Sequence, residues 1–270
     1  MIFDTTHLDM ALREDLYSFI RKTYQTLEPM QQLLGNWHLE AIAWHLKRCM
    51  TGEIRRLIIT LPPRSLKSIS ASVAFPAYVL GHEPSKKILC VSYSADLAVK
   101  NARECRSIMQ SDWYRRLFPN TRLGPRAAEH DFHTTLRGYR YTTSVCGTLT
   151  GRGGNIIIID DPMKAEEAMS DVRRKSINEW FDNTLYSRLD NKKSDVIILI
   201  MQRLHMDDMI GHVLKKEKWV HLNLPAIARV DEDIEIGPSL YYPRKRPGSR
   251  DCGMSSCSSR TGSTMTRLTV

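Results

Sequence analysis

The stretch that decides the fold lies between Leu57 and Ser68 and reads LIITLPPRSLKS. It begins with an apolar run typical of a buried strand and passes through a tight loop with two prolines. It ends with Lys67-Ser68, which open a helix-like segment over residues 69–80. A strand, a tight loop and a helix that opens with Lys-Ser are typical of a phosphate-binding loop. The N–H groups and the dipole at such a helix start favour an anion, so the stretch predicts a site for a phosphorylated ligand.

On this interpretation Lys67 reaches the β- and γ-phosphate oxygens of a nucleotide, and the Ser68 hydroxyl can bind Mg²⁺. The general pattern of such loops is GxxxxGK[ST], and Leu61 and Leu66 stand at its two glycine positions. Leu66 is the more consequential departure, because a Cβ next to Lys67 limits how closely the backbone approaches phosphate. The alternative interpretation is a strand-to-helix turn with a solvated lysine.

A second stretch, residues 151–162, reads GRGGNIIIIDDP. Four consecutive isoleucines predict a buried strand, and Asp160 and Asp161 stand at its carboxyl end, where open α/β sheets bind their ligands. One carboxylate there can hold Mg²⁺ and the other can orient or deprotonate an attacking water. The alternative is a strand-ending turn, since Asp-Pro is common turn chemistry.

A third apolar strand ends at Met201 and is followed by Gln202 and Arg203. At a strand tip, a side-chain amide can position water and an arginine can offset the charge that develops on a γ-phosphate. The residues that follow allow two interpretations. The first is a metal site formed by His205, Asp207 and Asp208. In the second, the two aspartates cap a helix over Met209–Lys215.

The wider pattern predicts an α/β fold with a mainly parallel central sheet flanked by helices. Short apolar runs without alternation alternate with helical segments, as expected for strands covered on both faces. The predicted strands are Leu57–Leu61, Ile88–Tyr93, Ile156–Ile159, Val196–Met201 and the weaker Trp219–Leu224. The predicted helices are residues 10–30, 37–50, 95–109 and 170–189.

Length and composition exclude a peptide hormone, a disulfide-stapled mini-domain and a wholly disordered chain. The 270 residues are 42% hydrophobic and 26% charged. Lys and Arg number 39 against 30 Asp and Glu, and the net charge of +9 favours polyanionic partners, nucleic acid first. None of the six cysteines forms a CxxC pair, and there is no apparent signal peptide or membrane-spanning run, so we expect a cytoplasmic protein.

More than half of the net charge lies in residues 238–270, which carry +5 and are rich in Ser and Thr. This segment has no hydrophobic period after Tyr242 and predicts a disordered tail, either a natural basic extension or the product of a lost reading frame. The predicted organisation is a helical lead-in at 1–50, a phosphate-loop domain at 51–237 and the tail.

Taken in order, these motifs resemble the N-terminal packaging ATPase of the large terminase subunit of tailed phages and prophages. The likeness covers roughly residues 30–225. Its blocks are Trp37-His38; Arg56 through LPPRSLKS; AYVLGH at 77–82; VSYS at 91–94; LFP at 117–119; GTLTGRG at 147–153; IDDP at 159–162; SRL at 187–189; and QRLHMDD at 202–208. The resemblance implies a P-loop NTPase of the additional-strand (ASCE) type.

It also implies roles for individual residues. Asp160 would be the Walker B acid that binds Mg²⁺ with Ser68, and Asp161 the catalytic carboxylate, where many relatives have Glu. Arg64 would engage phosphate as a second catalytic group. The implied ATP-binding loop is Pro63, Arg64, Ser65, Leu66, Lys67 and Ser68. Gln202 and Arg203 would couple hydrolysis to domain motion, Trp37 and His38 would contact adenine, and Arg152 or Arg188 would act in trans on a neighbouring subunit.

The implied function is hydrolysis of ATP with Mg²⁺ to drive viral DNA packaging. The implied partners are double-stranded DNA, a small terminase subunit, the portal and further copies of the chain in a ring. A complete large terminase also has an RNase H-like nuclease domain, and we expect no nuclease activity, because the residues after Pro238 offer Asp251 as their sole acid. The alternatives are an inactive prophage remnant and a non-enzymatic DNA-binding protein.

Overall fold

A computed structural model describes residues 5–149 and 151–247. The helices are α1 (Thr5–Glu14), α2 (Leu16–Leu27), α3 (Trp37–Met50), α4 (Phe75–His82), α5 (Ala95–Gln110), α6 (Asp112–Leu117), α7 (Asp171–Trp180) and α8 (Met209–Leu214). A π-helical segment, Ile69–Ala74, continues into α4, and a second one, Phe181–Leu185, follows α7. The strands are β1 (Arg56–Thr60), β2 (Lys87–Ser92), β3 (Leu123–Ala127), β4 (Asp131–Thr134), β5 (Tyr139–Ser144), β6 (Ile156–Asp160), β7 (Val196–Met201), β8 (Val220–Asn223), β9 (Glu232–Gly237) and β10 (Leu240–Arg244).

Eight strands form one sheet in the order β3-β4-β5-β2-β6-β7-β1-β8. Six neighbouring strands of this sheet are parallel: β5, β2, β6, β7, β1 and β8. The remaining two, β3 and β4, add an antiparallel edge. All five strands expected from the apolar runs are present, which confirms the mainly parallel α/β prediction. The predicted helix at 10–30 is two helices, because Asp15 interrupts it and caps α2 by accepting from the N–H groups of Tyr17 and Ser18.

The sheet is covered on both faces, which explains why its central strands read as continuous apolar runs. One face packs against α2, α3, α4 and α5, and its core contains the fully buried Phe19, Phe75 and Tyr78. The other face packs against α7, the segment that directly follows it and α8, with Ile177, Leu185 and other apolar side chains at the interface. Both layers fix the strands rigidly, so the strand ends present loops at defined positions.

The strands β9 and β10 form an antiparallel hairpin beside α3. The hairpin crosses the boundary expected after residue 237. Arg244, which lies within the predicted disordered tail, is buried there with an exposed fraction of 8%. An ion pair of 2.9 Å between Arg48 and Glu235 ties the hairpin to α3. Residues 248–270 of the predicted tail lie outside the described residues.

Cys49, Cys90 and Cys105 are buried free thiols and Cys146 is an exposed one. Within residues 5–149 and 151–247, no helix is both long enough and apolar enough to cross a bilayer.

Candidate nucleotide site

Three predicted site segments meet at one edge of the sheet. The parallel strands β1, β6 and β7 end side by side, with Thr60 level with Met201 and Asp160 level with Ile200. The loop at 61–66 leaves β1, Asp161 follows β6 and Gln202 follows β7. The strand that carries the loop is separated from the acidic strand by one additional strand, β7.

The two motifs are in direct contact. The ammonium Nζ of Lys67 lies 2.7 Å from Oδ1 of Asp161, across 94 residues of sequence. Lys67 is nearly buried, and about a quarter of the Asp161 side chain is exposed. The strand order together with this contact decides the fold class. The fold is the additional-strand P-loop NTPase fold.

The loop backbone has the conformation of an anion-binding turn. Arg64 has φ 62° and Leu66 has φ 58°, while Ser65 between them has a negative φ. Alternation between left- and right-handed residues directs successive N–H groups into one concavity, which is the backbone arrangement that binds phosphate in P-loops. Within the described part of the chain, the N–H groups of Arg64, Ser65 and Leu66 have no acceptor. The loop therefore presents three free donors.

Leu66 adopts the glycine conformation although it carries a Cβ. A left-handed φ costs a non-glycine residue about 1–2 kcal/mol. The Leu66 side chain is partly buried and packs against the main core cluster, which offsets some of this cost. The departure from the glycine pattern therefore leaves the loop backbone strained at Leu66.

Asp160 is buried beneath the loop, with an exposed fraction of 2%. Its Oδ2 accepts a hydrogen bond of 2.8 Å from the Ser72 hydroxyl, and its Oδ1 has no partner among the described residues. Burial, and then the charge of Asp161, raises the pKa of Asp160 to about 6, against the opposing effects of the Ser72 and Ser68 hydroxyls and of Lys67. An unpaired carboxylate oxygen close to a serine hydroxyl is a hard oxygen donor set that fits Mg²⁺.

This donor set is incomplete without a ligand. The described residues contain no group of three His, Cys, Asp or Glu side chains that could hold a metal ion. Magnesium in nucleotide sites is held by few protein ligands together with phosphate oxygens and waters, so Ser68 and Asp160 fit a nucleotide-bound Mg²⁺ and not a metal held by protein alone.

Backbone hydrogen bonds fix the direction of Asp161. Its N–H donates to the Ile200 carbonyl on β7 at 2.8 Å, and its carbonyl accepts from the Tyr93 N–H after β2 at 3.0 Å. Held between two strands, Asp161 has φ 46°, which is strained for a residue with a Cβ. This conformation directs the carboxylate to Lys67.

Sequence reasoning did not identify the residues behind Asp160. Ser72 lies in the π-helical segment after the loop, where its hydroxyl reaches Asp160, and its carbonyl accepts a 2.9 Å hydrogen bond from Nη2 of Arg140. Arg140 is fully buried. A π-helix is a frequent feature of functional sites, but neither Ser72 nor Arg140 belongs to a motif that a sequence signals.

Gln202 and Arg203 have different surroundings. Gln202 lines a cleft of about 320 Å³ together with Pro63, Lys67 and Asp161. The Arg203 guanidinium is held by its own loop, 3.0 Å from Asp208 Oδ2 and within reach of two backbone carbonyls. Gln202 therefore borders the cleft of the phosphate loop, whereas the arginine braces the turn after β7.

Of the two acidic residues after Arg203, one caps a helix as the capping interpretation predicted and the other does not. Asp208 is the N-cap of α8 and accepts from the Gly211 N–H at 3.0 Å. Asp207 forms an exposed ion pair with Lys215. With His205 they form no metal-binding group of three in the described residues.

The expected adenine contacts lie on the other side of the loop. His38 Nε2 is 3.3 Å from the Ser65 carbonyl, and burial lowers the pKa of His38, so a neutral imidazole holds the loop. Trp37 stacks on Tyr242 of the hairpin, with ring centroids 4.7 Å apart and planes 7° from parallel. Arg244 lies 5.6 Å from the Trp37 ring. These side chains border a cleft of about 450 Å³, and the hairpin forms part of its wall. The sequence did not predict this contribution of the hairpin.

The two arginines expected to act in trans are both engaged within the chain. Arg152 forms a 2.7 Å ion pair with the buried Asp131 and lies over the rings of Tyr139 and Tyr141. Arg188 is half-buried, and its Nε donates to the Thr184 carbonyl at 3.3 Å. Arg188 has no carboxylate partner among the described residues, so it is the freer of the two.

No protein-family model matches the chain, and no curated protein matches it. Among solved structures, it is similar to the large terminase of bacteriophage HK97, with 13% identity over 82% of this chain and 45% of that one and a TM-score of 0.48. It is similar to the large terminase of a thermophilic bacteriophage in complex with ATP-gamma-S, with 13% identity over 72% of this chain and 45% of that one and a TM-score of 0.47. It is also similar to the large terminase ATPase domain of Thermus phage P74-26, with 15% identity over 56% of this chain and 61% of that one and a TM-score of 0.40.

The chain spans less than two thirds of the length of each of these structures.

Proposed function

We propose that this chain binds ATP with Mg²⁺ between the loop at 63–68 and the carboxyl ends of β6 and β7, and that it hydrolyses ATP as the motor part of a terminase-type DNA-packaging protein. The observation that carries the proposal is the 2.7 Å contact between Lys67 and Asp161. It supports the proposal because a lysine ammonium and a carboxylate meet where the strands end, and these are the two groups that would serve phosphate and water.

Binding begins with the loop. The free N–H groups of residues 64–66 hold phosphate oxygens, and Lys67 exchanges the Asp161 carboxylate for the β- and γ-phosphates. Arg64 is exposed and makes no ion pair with the described residues, so its guanidinium is available to the same phosphates. Ser68 and Asp160 would hold Mg²⁺, which supplies charge neutralisation at the phosphate oxygens.

Release from Lys67 gives Asp161 its chemical role. The freed carboxylate accepts a hydrogen bond from water, which attacks the γ-phosphorus as the bond to the β-phosphate oxygen breaks. The water gives its proton to the Asp161 carboxylate, the bridging oxygen leaves on the β-phosphate, and the products are ADP and inorganic phosphate. The Gln202 amide borders the same cleft and can donate to the attacking water or to the γ-phosphate.

The test is Mg²⁺-dependent ATP hydrolysis by the purified full chain, compared with Lys67→Ala. We expect the rate to fall by about 10²–10³-fold, the usual loss when one charge-stabilising donor is removed. Lys175 is exposed on α7, where it faces Glu179 and lies outside this cleft, so Lys175→Ala is a control that removes equal charge without touching the site. Turnover that survives Lys67→Ala would end the proposal.

The strained Leu66 favours a second candidate, an inactive remnant that keeps the fold without the reaction. A leucine at φ 58° beside a lysine already neutralised by Asp161 is compatible with a loop that no longer closes on phosphate. Calorimetry with a non-hydrolysable ATP analogue separates the two candidates. Micromolar affinity supports the ATPase, and absence of binding supports the remnant.

The packaging role requires further partners: double-stranded DNA, a small terminase subunit, a portal and neighbouring copies in a ring, in the cytoplasm of a host cell. A trans arginine is testable by mixing inactive variants. Subunits with Arg188→Ala retain a phosphate loop, and subunits with Lys67→Ala retain Arg188. Mixing the two restores hydrolysis if Arg188 acts across the interface, and mixtures with Arg152→Ala test the other candidate in the same way.

A further inference from the structure

A basic cleft lies at the edge of the sheet opposite to the nucleotide site. It is formed where the chain enters β1, β7 and β8, and it encloses about 570 Å³. Its lining is mostly charged: Glu53, Arg55, Arg56, Tyr186, Lys192, Lys193, Glu217 and Lys218. Because parallel strands start together, this edge collects cations from three separate segments of sequence.

The cations of the basic cleft exceed its available acids. Glu217 is paired with Arg56 at 3.0 Å, and Glu53 is paired with Arg48 of α3 at 3.2 Å. The four remaining cations are exposed and have no carboxylate partner within the described residues: Arg55, Lys192, Lys193 and Lys218. Four uncompensated charges around one concavity create a positive potential that attracts a polyanion.

The floor of the basic cleft is rigid. Arg56 has an exposed fraction of 9% and donates to the Asp195 carbonyl and to the Tyr186 hydroxyl, each at 3.0 Å. The Tyr186 ring lies between cations, 5.3 Å from the Arg56 guanidinium and 5.8 Å from the Lys192 ammonium. The exposed lysines therefore project from a fixed base, and binding needs little ordering beyond their own side chains.

We propose that the basic cleft binds the phosphate backbone of double-stranded DNA. This inference rests on the proposed function for the choice of polyanion, and the geometry supplies the place. Lysine ammonium groups on flexible stems engage phosphates as point charges without fixed orientation, which suits a backbone that passes through the site in any sequence.

The basic cleft is separate from the nucleotide site. The two lie at opposite ends of β1, whose five residues span about 16 Å at 3.3 Å per residue. Substitutions in the cleft therefore leave the phosphate loop and the carboxylates of the nucleotide site untouched.

The experiment measures binding of a fluorescent 30-base-pair duplex to the full chain by anisotropy across a salt series. The test variant is Lys192→Gln, Lys193→Gln and Lys218→Gln together. The control is Lys86→Gln, Lys100→Gln and Lys175→Gln, which removes equal charge from lysines that each face a glutamate three or four residues away. We expect the slope of log affinity against log salt to fall by about two to three in the test variant and to change little in the control.

Equal effects of the two triple variants, or no effect of the test variant, would overturn the proposal. Lys218→Glu gives a single-site check if the triple variant does not fold: reduced duplex affinity supports the proposal and unchanged affinity contradicts it. A polyglutamate competitor identifies the polyanion. If the test variant loses polyglutamate binding but retains duplex binding, the proposal is also overturned.

ATP hydrolysis by the same variants distinguishes the two proposals. Normal hydrolysis together with unaltered DNA binding by the test variant refutes only the proposal that the basic cleft binds DNA. Altered DNA binding by a chain that never hydrolyses ATP refutes the proposed function alone.

Discussion

Substituting Asp160 by Asn removes a buried negative charge and keeps the shape of the side chain. Asp160 has a pKa of about 6 in the folded protein, whereas a carboxylate in an unfolded chain titrates near pH 4. The folded state therefore holds its proton more tightly than the unfolded state does. The stability that this proton provides is fully present below about pH 4 and is lost as pH rises through 6.

The magnitude follows from that difference. About two pH units at about 1.4 kcal/mol each correspond to about 3 kcal/mol, which is the cost of keeping Asp160 ionised in the apo protein above pH 7. We expect Asp160→Asn to raise the free energy of unfolding by about 2–3 kcal/mol at pH 8 and the melting temperature by about 5–10 °C for a chain of this size. At pH 4 the gain should vanish.

The assay is urea unfolding of the full chain in EDTA without nucleotide, at several pH values between 4 and 8. Asp190→Asn is the matched control, because it removes an exposed carboxylate paired with Lys87 and costs at most about 1 kcal/mol. A gain that does not depend on pH, or a loss of stability at pH 8, would refute the electrostatic argument. The same variant should lose Mg²⁺-dependent hydrolysis, so the site and the fold have opposite requirements.

Three further experiments test local features. Leu66→Gly should remove a backbone cost of about 1–2 kcal/mol. The glycine variant should therefore unfold at a higher urea concentration than Leu66→Ala, which keeps the strained φ and loses the packing. The reverse order would contradict the strain argument. Asp208→Ala should destabilise the chain by about 2–3 kcal/mol, because it removes the N-cap of α8 and the partner of Arg203, and Arg203→Ala should cost less in the same urea titration. Tyr242→Ala should change the fluorescence of Trp37 and lower stability by about 1 kcal/mol, whereas unchanged emission would show that the stacked pair does not form in solution.

The elements that sequence predicts well here are those whose signal is local. Continuous apolar runs predict β1, β2, β6 and β7, because a strand covered on both faces needs no alternation. The antiparallel edge strands β3 and β4 escape prediction because they are short and carry charged and polar residues. The hairpin at 232–244 escapes for a related reason: its second strand is mostly exposed and is held by pairing with its neighbour and by the Trp37 contact.

For the site, the amino-acid sequence by itself determined the residue types and their order: a Lys-Ser pair after one buried strand, two aspartates after another and a glutamine after a third. Tertiary structure alone decided that Lys67 faces Asp161, that Asp160 is buried on Ser72, and that Arg203 turns away to Asp208. The physical reason is range. Chain chemistry sets strands and turns over a few residues, whereas strand order in the sheet brings together side chains 94 residues apart, and burial then raises the pKa of Asp160.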